Sequence, residues 1–388
     1  MRQIKYLFPI LVVLVIIFTV STKGIFNKSK KDTEKDSLVT ISISAVGDIM
    51  CHSPQFDYAR VRADSFDFNP EFSHVKSYLL NSDIVFGNLE TVAAGNTFKY
   101  SGYPAFNSPD DFIRAIKESG FTMLVTANNH AFDRGARGVL RTISVIKNSG
   151  LNYDGTFTSE RDRDSIRIFE IKGIRAAFLA YTYGVNGNYI PKGKAYLINI
   201  IDTTLIKHDI ASAREKGAEI VLVYFHFGTQ YKRGIDEFQN QIVEKTIKYG
   251  ADIIIGSHPH VVEPVVFYKA NNSKLDTGFA AYSLGNFVSN QRWRYADAGL
   301  ILKIYLTKNL RTKTIYINKV SYLPTWVFKG RVGNKDEFEV LPSQLSFKRE
   351  YPKFLTLDDI RKMKEAFEDT KEVMTKYTDK IEIDSIGK

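Results

Sequence analysis

The chain has 388 residues, 44% of them hydrophobic and 25% charged, which are globular proportions with room for one large α/β domain or two smaller ones. Its 53 Lys and Arg exceed its 43 Asp and Glu by ten, a balance that favours acidic partners such as phosphates, polyanions or a membrane face. No Arg-rich helix, RNA-binding aromatic pair or zinc-finger spacing is present, which argues against nucleic acid, and the single cysteine, Cys51, excludes an internal disulfide.

The N-terminus carries Arg2 and Lys5, then an uncharged run from Leu7 to Val20. That run is short for a full membrane span but suits a signal sequence or short anchor. No small-residue cleavage site follows, so an uncleaved anchor is expected, with the rest of the chain outside the cytoplasm. Thr22 to Ser37 is polar and charged and reads as a flexible tether. The expected organisation is an anchor and tether over 1–38, a main domain over 39–324 and a C-terminal extension over 325–388.

The main domain opens with "LVTISISAVGD", an alternating strand that ends at Gly47. A unit then recurs: apolar strand, short polar loop, periodic helix. "DIVF" leads into "GNLET", and "FTMLV" into "TANNHAFDRG" and a helix spaced by Val139, Leu140, Ile143 and Ile146. "EIVLVYF" leads into "HFGTQY" and a helix carrying Phe238, Ile242, Val243 and Ile247; "DIIIG" leads into "SHPH". The alternation predicts an α/β fold, a mostly parallel sheet with helices on its faces. "IRIFEIKGIRAAFLAYTYG" reads as two strands about Lys172-Gly173. The strands after Lys274 lack helices between them and predict a second, antiparallel sheet. A terminal helix opens at Thr356 and Asp359, with Ile360, Met363, Phe367, Met374 and Tyr377 along one face. Aromatic residues make up 13% of the chain, enough for a well-filled core or for a carbohydrate-like or polymer surface.

In open α/β sheets the loops at the carboxyl ends of strands build the site. Five such loops carry side chains of the metal-ligand kind: Asp48; Asn88 and Glu90; Asn129 and His130; His226; and His258 with His260. Carboxylate, imidazole and amide oxygen suit divalent ions such as Zn, Mn, Fe or Mg. Taken singly, each has an ordinary explanation: an Asp after a strand caps a turn, Asn-Asn marks a turn, and a lone His sits satisfied in a core. The "SHPH" pair is stronger, because side chains two apart in an extended segment share a face and Pro259 stiffens the loop. The conjunction of five loops is the signal. His52 lies near enough to Asp48 to be a marginal further ligand.

The order GD, GNLE, NNH, H, GSHPH and SLGNF, over roughly Ile41 to Asn290, resembles the bacterial capsule-synthesis protein CapA family, the poly-γ-glutamate synthesis group, whose fold resembles the calcineurin-like metallophosphoesterases. The resemblance implies a four-layer α/β/β/α sandwich with one or two divalent ions at the strand ends. It implies Asp48 and Glu90 as carboxylate ligands, with Glu90 bridging. Asn129, His226 and His258 would complete one metal site, and His260 would serve the other. His130 would be a general acid, and Asn88, Asn286 and Arg292 would contact an anionic group of the substrate. Met50 stands where those phosphoesterases carry a histidine ligand, and "GNLE" replaces their bridging aspartate motif.

This parts list fits hydrolysis of a phosphoester best, since a divalent ion acidifies water and neutralises a phosphoryl group. The other class of function is non-catalytic: a membrane-tethered scaffold or binding module for an anionic surface polymer. The expected partners are an anionic polymer or a phosphorylated small molecule, and the membrane through the N-terminal segment.

Overall fold

A computed structural model describes residues 38–385. The expected anchor, Leu7 to Val20, and the tether that follows lie outside the described residues. Among the described residues no helix is long and apolar enough to cross a membrane.

The strands run β1 (Leu38–Ile49), a small separate hairpin of β2 (Arg60–Arg62) and β3 (Ser65–Phe66), then β4 (Ile84–Leu89), β5 (Met123–Val125) and β6 (Asn152–Asp154). There follow β7 (Arg167–Ile171), β8 (Ile174–Thr182), β9 (Ile220–His226), β10 (Ile253–Ser257), β11 (Val265–Asn272) and β12 (Leu275–Ala281). The last are β13 (Asn286–Val288), β14 (Ala298–Asn309), β15 (Ile315–Val332), β16 (Lys335–Pro342) and β17 (Glu382–Ile383).

All but the hairpin join one sheet. In one half β6, β5, β4 and β1 are parallel, and β14 and β15 continue it antiparallel. In the other half β12, β10, β9 and β8 are parallel, edged by antiparallel β7. A single residue pair, Leu275 with Ile315, joins the halves.

Strand alternation explains the layering. In β9, Ile220, Leu222 and Tyr224 face one core while Val221, Val223 and Phe225 face another. The first set shares its core with Ile43 and Ala45 of β1 and Phe86 of β4, so the two sheet halves pack face to face. Phe86 and Phe178 meet edge to face there, with centroids 5.5 Å apart. The outer face of one half is covered by helices Asp110–Glu118 and Gly135–Asn148, through Phe112, Ile116, Val139 and Ile143. The outer face of the other is covered by helices Thr203–Glu215 and Glu237–Tyr249, through Ile206, Ile210, Ile242 and Val243. The result is the four-layer α/β/β/α sandwich.

Several expectations change. The antiparallel strands β14, β15 and β16 do not form a second sheet; β14 pairs with β1 over nine residues and extends the same one. β1 runs to Ile49 rather than Gly47, because β13 pairs with Asp48 and Ile49. β15 passes through Pro324 without a break, so the segment from 325 onward is woven into the sheet edge. Leu140 and Phe238 lie off the buried faces of their helices and stay exposed. Tyr377 lies beyond the last helix, which stops at Met374.

Phe178→Ala would open a cavity at the seam between the halves and should cost about 3–5 kcal/mol in denaturant unfolding. Leu80→Ala, at an exposed position, should stay within about 0.5 kcal/mol of wild type.

Candidate metal centre and its cavity

The polar residues meet where strand ends from both halves converge. Asp48 closes β1, Asn88 and Glu90 close β4, and Asn129 and His130 follow β5. From the facing half, His226 ends β9 and Ser257 ends β10, with His258 and His260 just beyond. The backbones approach closely at two glycines. A Cβ at Gly47 would collide with the Gly285 carbonyl, and one at Gly256 with the Tyr282 carbonyl.

Two groups of ligand-capable atoms form there, Glu90 with His226 and His258, and Asp48 with Glu90 and His260. Within each, the atoms lie within 4.8 Å of one another, and Glu90 belongs to both. All five residues are buried. His260 Nδ1 sits 3.0 Å from Asp48 Oδ2 and its Nε2 3.9 Å from Glu90 Oε1. His226 Nε2 sits 2.8 Å from Asn129 Oδ1, 3.1 Å from His258 Nδ1 and 3.8 Å from Glu90 Oε1. The Asn129 amide is oriented by its own donation to Asn186 Oδ1 at 3.1 Å.

Burial sets the electrostatics of these groups, and it acts differently on the imidazoles and the two carboxyls. Burial pushes His226 well below its usual value, and the His258 imidazole beside it adds to the shift. Burial, with the His260 ring, brings His258 down to about 3. Both rings are therefore neutral. Burial also opposes ionisation of Asp48. The hydrogen bond and charge of His260, the charge of His226 and the Ser257 hydroxyl outweigh it and hold Asp48 below the carboxylate range. Burial and then the Asp48 charge push Glu90 well above that range.

Protons are too few for these contacts. No single proton on a neutral His226 serves all its contacts: Nδ1 lies 3.1 Å from the Asn88 amide nitrogen, while Nε2 faces Asn129 Oδ1, His258 Nδ1 and Glu90 Oε1. Glu90 Oε1 is buried and has no hydrogen-bond partner at all. Orphaned oxygen, neutral imidazoles and an aimed amide carbonyl are the donor set a divalent cation requires, so the residues fit such an ion.

Above the donors lies a cavity of about 850 Å³ lined by Met50, His52, Asn129, His130, His258 and His260, among others. His130 Nδ1 pairs with Asp133 Oδ2 at 2.8 Å, with both side chains buried. The Phe106 ring meets the imidazole edge to face at 4.7 Å. His52 belongs to neither donor group; its Nδ1 accepts from the Asn290 backbone N–H at 3.2 Å.

Three predicted substrate contacts lie elsewhere. Asn88 is fully buried beneath the cavity, where its amide donates to Asp48 Oδ1 at 2.7 Å and its carbonyl accepts from Asn128 at 3.0 Å. Asn286 donates to Gln291 and to the Ala296 carbonyl, so it staples its own loop. Arg292 turns away, onto the Trp326 ring and the Val327 carbonyl. Its neighbours Gln291 and Trp293 face the cavity instead. Asn128, Asp133 and Ser257 were not anticipated. Of these only Asp133 had a readable signal, a carboxylate three residues after a histidine in a tight turn.

Residues 42–291 match the family described as bacterial capsule synthesis protein PGA_cap. The chain belongs to that family. The matched span holds every donor of both groups. Capsule biosynthesis protein CapA of Bacillus anthracis is 30% identical over 318 residues, covering 79% of this chain and 73% of that one. PGA biosynthesis protein CapA of Bacillus subtilis (strain 168) is 29% identical over 301 residues, covering 77% and 76%. Among solved structures, NAD nucleotidase of Haemophilus influenzae aligns over 90% of this chain and 65% of its own length at 12% identity, with a TM-score of 0.46. A likeness at that level carries no chemistry across.

A divalent ion at 100 times its Kd should stabilise wild type by about 2.7 kcal/mol, read as a rise in Tm. Glu90→Gln and His226→Ala should abolish that response. In chelator, Glu90→Gln should be at least as stable as wild type, because the substitution removes a carboxyl buried beside Asp48 with one oxygen, Oε1, left without a hydrogen-bond partner.

Proposed function

We propose that the protein is a metal-dependent phosphoester hydrolase of cell-surface polymer synthesis. One observation carries the reading: a buried carboxylate oxygen without a hydrogen-bond partner, shared by two donor groups under an open cavity. Relatives named for capsule and PGA biosynthesis support the polymer setting.

Asp48, Glu90, Asn129, His226, His258 and His260 would hold one or two ions of Mn, Zn, Fe or Mg, with Glu90 between the two groups. A bound divalent ion supplies Lewis-acid polarisation of a phosphoryl oxygen and activation of water. The chain's own residues do the rest. Asn88 and Ser257 hold Asp48 in place by hydrogen bonds, and Asn128 holds Asn88. Asp133 accepts from His130 Nδ1, which fixes the ring and leaves Nε2 free on a residue that lines the cavity. As water displaces the alkoxide at phosphorus, His130 Nε2–H would give its proton to the departing oxygen, while Asp133 holds the ring through Nδ1. The body over 39–324 carries this machinery. The apolar run at residues 7–20 would tether it to the membrane with the cavity outside the cytoplasm.

The test is turnover of bis(p-nitrophenyl) phosphate by metal-loaded protein. His258→Ala should lose both metal and turnover. His130→Ala should keep its metal and lose about 10²–10⁴-fold in kcat. Asp133→Asn should lower kcat with metal content unchanged. Bound metal without turnover of this or any phosphomonoester would overturn the hydrolase and leave the non-catalytic scaffold.

A further inference from the structure

We infer that the cavity takes an uncharged, hydroxyl-rich sugar, so that the reacting phosphoester belongs to a carbohydrate unit. The inference rests on the hydrolase reading and names its substrate class.

The walls above the donor groups are aromatic and carboxamide. Tyr103, Tyr183, Tyr231 and Trp293 line the cavity and are 74%, 40%, 45% and 50% exposed. Each of the three tyrosines adjoins an imidazole of the floor. Tyr183 lies 4.6 Å from His258, Tyr231 5.8 Å from His260 and Tyr103 6.4 Å from His130. Asn186, Asn188, Gln230, Asn290 and Gln291 line the same cavity. Sugar rings present apolar C–H faces with hydroxyls around the rim. Aromatic faces cover the first, and carboxamides pair with the second through the amide atoms not already held by Asn129, Asn286, Tyr231 and Lys329. The volume of about 850 Å³ lies within the usual range for small-ligand sites.

Two competing ligand classes fit less well. A polycarboxylate needs cationic partners along its length. Among the described residues no lysine or arginine lines the cavity. Lys329 bonds Asn290 Oδ1, and Arg134 bonds Ser101 and the Ala105 carbonyl. A nucleobase is held most tightly by stacking flat against aromatic faces. Tyr231 and Trp293 instead pack edge to face, 5.3 Å apart at 68°, with no gap between them.

The backbone supports a built surface. Four cavity residues other than glycine hold left-handed φ values: Asn186 at 51°, Tyr231 at 64°, His258 at 104° and His260 at 60°. Such conformations persist where the surrounding structure enforces them, and they cluster at ligand contacts.

Intrinsic fluorescence offers a test that is independent of turnover. The chain has two tryptophans, and Trp326 is fully buried, so Trp293 is the reporter at the cavity. Chelator-treated protein is titrated with maltotetraose, chitotetraose, poly-γ-glutamate and AMP. A saturable change with at least one neutral tetrasaccharide is expected, weakened tenfold or more in Tyr231→Ala and in Gln230→Ala. No response to either tetrasaccharide, or a stronger one to poly-γ-glutamate or AMP, overturns the inference. Metal-loaded enzyme should also prefer N-acetylglucosamine 1-phosphate to AMP by tenfold or more in kcat/KM. Turnover of bis(p-nitrophenyl) phosphate without tetrasaccharide binding sinks the sugar and spares the hydrolase. Tetrasaccharide binding without any turnover does the reverse.

Discussion

The structure depends on a set of buried lone pairs held together from opposite sides of a sandwich. Asp48, Asn88 and Glu90 belong to one half of the sheet, and His226, Ser257, His258 and His260 to the other. Along the sheet itself the halves meet at only one residue pair, Leu275 with Ile315. The hydrogen bonds from Ser257 and His260 to Asp48, and from Asn88 to His226, therefore bind the two layers at the strand ends. The apolar seam aligns the layers, and these polar contacts fix their register. A shift of either half would separate the donors, which is why rigid strands rather than long loops present them.

Glycine and strained backbone serve the same end. Gly47 and Gly256 let two chains come nearer than any side chain would permit, and each stands one residue before a member of the cluster. His258 and His260 then leave β10 with positive φ on either side of Pro259, so both rings turn into one small volume. The cost in backbone energy is of the order of 1–3 kcal/mol for each such residue, and the close-packed layers around it must supply that.

Much of this was readable in the residues. Strand and helix alternated with the right periods, so the α/β character and the helix-covered faces followed from patterning. The polar residues at five strand ends were conspicuous because they interrupt apolar runs. Register was not readable. Nothing local to "AGLILKIYL" says that it pairs with β1 and not in a sheet of its own, since antiparallel edge pairing is decided by tertiary context. Arg292 and Asn286 misled for a similar reason. Asn286 opens β13 and turns onto Gln291 and the Ala296 carbonyl, and in the loop beyond it Gln291 and Trp293 face the cavity while Arg292 faces the core around Trp326. Composition could not place charge either: the chain is +10 overall, yet among the described residues no lysine or arginine lines the cavity.

That separation of charge from the cavity bears on how stability and function divide within the molecule. The donor cluster contributes little net stability without a cation. It buries two carboxyls close together and keeps one oxygen unpaired. The three apolar cores that surround it carry the fold: one between the sheet halves and one under each helical layer. An arrangement that is unfavourable alone and becomes favourable with a positive ion differs from a structural ion pair, which is complete in itself, as Arg163 is with Asp209. Incompleteness of this kind, in a region every neighbouring element holds rigid, is the physical mark of a binding site.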